Sequence, residues 1–140
     1  MEKEEIVELY IKEARKYINT PFRHQGRDKN GLDCIGIIVV PLNNIGFFKY
    51  DNVNYRRYGL GGEIIEVLQK YCYEISKYSE LEAGDILMFS KGKSQHLAIY
   101  TGSSIIHANN SVGKVTEHIL DDYWMSMVSK VFRYREDIQL

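Results

Sequence analysis

Residues 2 to 18 place Ile6, Leu9, Tyr10, Ala14, Tyr17 and Ile18 on one stripe at helical spacing, with acidic residues crowding the first turn. Asn19-Thr20-Pro21 ends this helix. A polar, basic loop fills residues 20 to 32. Asp33 is then placed to cap a second helix, whose apolar run Ile35-Gly36-Ile37-Ile38-Val39-Val40 predicts burial. Pro41 should kink or shorten that helix, and Asn43-Asn44-Ile45-Gly46 should end it. Residues 47 to 62 show no period and finish in the hinge-like Gly59-Leu60-Gly61-Gly62. Helical spacing returns at Ile64, Ile65, Leu68, Tyr71 and Cys72. From residue 84 the period becomes two. Strands are predicted at 84–89, 95–101, 104–109 and 113–119, then a short helix at 121–128 and a last strand at 130–134. Gly102-Ser103 is the expected tight turn between the second and third strands. Helices followed by an antiparallel sheet define an α+β fold.

Composition narrows the picture. A chain of 140 residues suits one core, and we read residues 1–140 as a single domain. The formal net charge of -1 leaves no electrostatic footprint for nucleic acid or for an anionic membrane. No apolar run approaches the ~20 residues of a membrane span. Met1-Glu2-Lys3-Glu4-Glu5 is not followed by the apolar core of a signal peptide, so synthesis in the cytoplasm is expected. The two cysteines, Cys34 and Cys72, lie far apart and neither belongs to a paired-ligand motif. That argues against a disulfide framework and against a metal site. Cys72, on an apolar stripe, reads as a core thiol.

Cys34 stands where the glycine-rich loop meets the apolar helix, in Gly31-Leu32-Asp33-Cys34-Ile35-Gly36. Unpaired N–H groups and the helix dipole at such a tip favour a thiolate. Alternation puts His96, Ala98 and Tyr100 on one face of their strand, and Ile105, His107 and Asn109 on one face of the next. A turn at Gly102-Ser103 makes the strands neighbours and lets the two histidines meet. A nucleophile, a base and a group that orients the base are the parts of a cysteine hydrolase. The Cys34 N–H is the natural oxyanion donor. Each piece also has a structural reading: a cysteine before an apolar helix suits a core, and a histidine in a strand can simply be hydrogen-bonded. His118 is read in that structural way.

Thr20-Pro21-Phe22, Gly26 and Gly31-Leu32-Asp33-Cys34-Ile35-Gly36, then Gly84-Asp85-Ile86-Leu87-Met88-Phe89, His96-Leu97-Ala98-Ile99-Tyr100-Thr101-Gly102 and Ile106-His107-Ala108, together resemble the motifs of the NlpC family of papain-like cell-wall cysteine peptidases. The string from Pro21 to Asp28 resembles the phage-associated branch, encoded among phage tail or gene-transfer-agent genes. The resemblance implies a papain-like fold, with the nucleophile on a helix tip packed against a C-terminal antiparallel sheet. It implies Cys34 as nucleophile, His96 as base and His107 as the orienting residue. It implies cleavage of an amide in peptidoglycan stem peptides, typically between D-glutamate and a diamino acid, with no metal or organic cofactor. Tail proteins are the implied partners, and the virion acting at the cell wall is the implied place. Substrate-contact candidates are Asp33, Phe22, His24, Gln25, Ile35 and Gln95. Many family members carry serine where this chain has Ile35, and tyrosine where it has Phe22. Other uses of the same residues remain open: a deamidase or acyltransferase on another amide, or a non-catalytic structural component of a tail.

Overall fold

The computed structural model describes residues 2–46, 62–76 and 78–135. Of the hinge-like run Gly59-Leu60-Gly61-Gly62 only Gly62 is described, as the first residue of a helix; the rest of the run and the irregular stretch before it lie outside the described residues, as does the side chain of Ile64. Helix α1 (Lys3–Arg15) is followed by a small hairpin, β1 (Arg27–Asp28) and β2 (Gly31–Leu32), inside the segment read as loop. Helix α2 (Gly36–Asn44) and helix α3 (Gly62–Tyr71) come next. Strands β3 (Cys72–Glu74), β4 (Ile86–Lys91), β5 (Ser94–Tyr100), β6 (Ser104–Asn109), β7 (Lys114–Ile119) and β8 (Val128–Tyr134) form a six-stranded sheet in the order β3-β8-β4-β5-β6-β7. Every pairing in it is antiparallel, and the short helix α4 (Asp122–Met125) precedes β8.

The α+β reading holds, with two local differences besides the hairpin in the loop. Cys72 does not end a helix; it opens β3, paired with Tyr134 of β8. Ladder bonds to a neighbouring strand outweigh the helical spacing there, and the thiol is still buried. Helix α2 runs through Pro41, whose missing N–H leaves one rung out, and closes at Asn44.

Alternation along the strands sends side chains to two cores. Leu97, Ile99, Ile106 and Ala108 pack with Tyr10, Ala14, Ile37, Ile38 and Leu42 under the helices. Leu87, Phe89, Ala98, Ile105 and Val131 lie on the other face, covered by Trp124 and Met127. Gly84-Asp85 fixes where β4 starts. Gly84 takes a positive φ of 94°, and Asp85, 1% exposed, receives both Nε and an Nη of Arg133 at 2.9 Å from β8. A two-pronged pair of this kind keeps a buried carboxylate satisfied.

The start of α2 is held tightly. The Arg23 N–H donates to the Leu32 carbonyl at 3.1 Å, and Leu32 N–H donates to the Pro21 carbonyl at 3.0 Å. Phe22 N–H donates to the Gly113 carbonyl at 2.8 Å, which ties the loop to the end of the β6–β7 hairpin. Gly36 sits against this loop: a Cβ there would stand 2.5 Å from the Gly26 carbonyl oxygen. Gly36→Ala therefore forces the loop off the helix and should cost roughly 1–3 kcal/mol, read as a lower urea midpoint. An unchanged midpoint would show that the contact relaxes freely.

Candidate active site

The β5–β6 ladder pairs Ile99 with Ile106 and Tyr100 with Ile105, and extends no further. Tyr100 N–H is turned to β4, where it meets the Asp85 carbonyl at 2.8 Å. By alternation Leu97 N–H points to the other side, where β6 has splayed away. The tip of α2 enters there. The backbone N–H groups of Leu97 and of Cys34 itself face the Cys34 sulfur and favour its charged form.

The same register puts His96, Ala98, Tyr100, Ile105 and His107 on one face of the sheet. His96 Nε2 and His107 Nδ1 are 2.7 Å apart, with ring centroids at 4.9 Å. His107 is 0% exposed. Phe89 stacks near His96 at 6.3 Å, and the Trp124 ring lies 4.8 Å from His107. Asp121 sets Trp124 in place by capping α4, accepting the Trp124 N–H at 2.9 Å. Cys34 and His96 line one open cleft of about 480 Å³. Its walls include Phe22, Phe89, Tyr123, Trp124 and Met127, and its polar lining includes Gln95, Asn109, Asn110 and Ser111.

The substrate-contact candidates divide. Phe22 and Gln95 are on the cleft wall. Ile35, 2% exposed, belongs to the core under the helices, because the helix turn carries its side chain away from the sulfur. Asp33 is 3% exposed and acts inside the fold. One carboxylate oxygen accepts Gly36 N–H at 2.9 Å, Ile35 N–H at 3.2 Å and an Arg27 Nη at 3.3 Å; the other accepts Gln25 N–H at 2.7 Å. Asp33 is the expected helix cap and is not a ligand contact on the cleft wall. Gln25 serves through its backbone N–H, at a positive φ of 63°. His24 stands beside Asp33, 4.0 Å from its carboxylate, and is not among the residues lining the cleft.

The expected thiolate is reversed. Burial pushes the Cys34 thiol up to about 12, and the adjacent Asp33 carboxylate adds to the rise against the lowering by the two N–H donors. The dipole argument fails because the helix tip already has its anion: Asp33 takes the free N–H groups that would have favoured sulfur. Burial pulls His96 down to about 4, opposed by Asp33. Burial also takes His107 down to about 3, with help from His96 and His118. The cleft thus holds a neutral thiol and a neutral imidazole.

His118 is the residue that pattern reading left out. It lies opposite Ile105 in the β6–β7 ladder, hence on the face of His107 and diagonal to it. Its Nε2 is 2.7 Å from His107 Nε2. The parity of β7 carried the signal, but using it required the register of the pairing. Trp124 likewise reaches the site only through tertiary packing.

Two outcomes test this electrostatic picture. Iodoacetamide should alkylate Cys34 slowly near neutrality, with a rate still climbing above the ordinary thiol value of about 8.5; a plateau already reached at acid pH would show a thiolate instead. His96 and His107 both have folded values below the unfolded 6.5. The unfolded chain therefore binds protons that the folded chain refuses, and stability falls as pH falls through that window. Each histidine accounts for about 2 kcal/mol, so urea unfolding should show a loss of about 4 kcal/mol between about pH 7 and pH 5. A flat profile would mean that the two rings titrate normally.

Comparison with known proteins agrees with this architecture. A model of the family described as NlpC/P60 matches residues 19–133. A probable endopeptidase, NlpC, of Escherichia coli K12 is 26% identical over 116 residues, which cover 80% of this chain and 68% of that protein. A probable endopeptidase of Corynebacterium glutamicum is 29% identical over 109 residues, 77% of this chain and 46% of that protein. The chain thus spans about two thirds of the first relative and less than half of the second. The P60 domain of an antigen of Mycobacterium avium subspecies paratuberculosis superposes with a TM-score of 0.64 at 20% identity, covering 98% of both chains. The peptidoglycan hydrolase RipB of Mycobacterium tuberculosis gives 0.64 at 22% identity, over 93% of this chain and 65% of that one.

Proposed function

The chain belongs to the NlpC/P60 family, and on that premise we propose that it is a cysteine peptidase that cuts an amide bond in peptidoglycan stem peptides. The observation that carries this reading is that Cys34 and His96 line one cleft, with His96 hydrogen-bonded to His107. The relatives described as endopeptidases and as a peptidoglycan hydrolase support the substrate class.

With thiol and imidazole both neutral at rest, His96 acts as general base during attack. The Cys34 sulfur bonds to the carbonyl carbon while its proton passes to His96. The carbonyl oxygen becomes an oxyanion, for which the Cys34 N–H at the helix tip is the natural donor. Collapse of that intermediate breaks the C–N bond, and His96 returns the proton to the leaving amine. Water, deprotonated by His96, then cleaves the thioester and regenerates the thiol. Because His96 stays neutral down to about 4, the base is available through the neutral range.

The cleft suits a peptide bearing carboxylates. Among its described lining residues Lys91 carries a positive charge and no side chain is acidic. Position 35 faces the core, so orientation of the peptide falls to groups on the cleft wall such as Gln95, Asn109 and Asn110. The bond between D-glutamate and a diamino acid is the scissile bond within this proposal. Delivery to the wall on a phage or phage-like tail is its cellular counterpart, supported by the string from Pro21 to Asp28.

Incubation with purified peptidoglycan should release new amino groups, with mass spectrometry placing the cut after D-glutamate. Cys34→Ala should abolish release. Activity surviving that change would sink the mechanism, and cleavage confined to glutamine-type amides would move the protein to the deamidase reading.

A further inference from the structure

The line of ring contacts from His96 does not end at His107. His107 Nε2 meets His118 Nε2 at 2.7 Å, and His118 Nδ1 lies 3.0 Å from the carbonyl oxygen of Ile119. A carbonyl oxygen only accepts, so the proton of a neutral His118 is on Nδ1 and its Nε2 is bare. His107 must then donate from Nε2, which leaves its Nδ1 bare. His96 must donate from Nε2 to that Nδ1, 2.7 Å away. The bare nitrogen of His96 is therefore Nδ1, the ring atom not engaged with His107. A single backbone carbonyl selects the tautomer of three rings.

We propose that His118 is a fourth, positioning residue of the site, which acts through His107 to hold His96 in the tautomer whose Nδ1 lone pair can receive the Cys34 proton. This rests on the reading of Cys34 and His96 as nucleophile and base. The relay also has a definite failure mode. A second proton on His118 makes its Nε2 a donor, which reverses both ring-to-ring bonds and leaves His96 protonated on Nδ1, unable to act as a base. The groups packed on His118 are His107 from β6 and Trp124 from α4. Its charged neighbour on β7, Glu117, engages Arg15 from α1 and Ser104 from β6 instead.

Two variants and one spectroscopic readout test the relay. In long-range ¹H–¹⁵N spectra of the histidine-labelled protein near neutral pH, His96 and His107 should carry their protons on Nε2 and His118 on Nδ1. His118→Leu should keep the fold by thermal unfolding but lower kcat roughly ten- to a hundredfold, part of what a general base contributes, with KM little changed and His96 in mixed tautomers. His118→Gln supplies an amide oxygen that accepts from His107 and cannot be protonated. It should recover most of the rate. A wild-type His96 protonated on Nδ1, or a His118→Leu protein with unchanged kcat and tautomers, would overturn the proposal. Should the wild type cut no stem peptide at all, the functional reading fails, while the spectra still decide the relay.

Discussion

The buried carboxylate of Asp33 accepts from the backbone of Gln25, Ile35 and Gly36 and from the side chain of Arg27. A carboxylate this enclosed persists as an anion only where donors surround it. Those donors come from the loop before the cysteine and from the first turn of the helix after it. Satisfying one charge thus fixes the direction in which α2 leaves the loop, and with it the place of the Cys34 sulfur. Gly26 and Gly36 allow the two backbones to approach closely enough for this.

The same interaction decides the protonation of Cys34. Asp33 occupies the N–H groups that an uncapped helix tip would have offered to a thiolate, and its own charge stands next to the sulfur. Burial acts in the same direction on the thiol and in the opposite direction on the imidazole, so both groups are driven to their neutral forms. In the proposed mechanism proton transfer then accompanies attack on the substrate, and the site depends on a base with the correct nitrogen bare.

That dependence explains the arrangement of the second half of the chain. The β5–β6 ladder ends early, which opens room for the helix tip beside Leu97, while β6 and β7 stay paired along their length. The long β6–β7 ladder is what sets His107 and His118 side by side. Trp124 lies against His96 and His107, and burial lowers the pKa of both and keeps them neutral.

Much of this was legible in the chain itself. The helix stripes, the switch to a period of two, the turn at Gly102-Ser103 and the cap at Asp33 are local, since each depends on neighbours within a few residues. Cys34, His96 and His107 were singled out by the same local signals and by the motifs around them. What local pattern carries is parity, the face on which a residue lies. It does not carry register, burial or the competition for donors. The enlistment of His118 depends on which residue of β7 lies opposite Ile105. The inward turn of Ile35 and the extended conformation at Cys72 depend on what packs against them. The proton on Cys34 depends on an anion brought against the sulfur and on water removed from around it. Those are properties of the folded surroundings, because desolvation and hydrogen-bond partners come from segments remote in sequence.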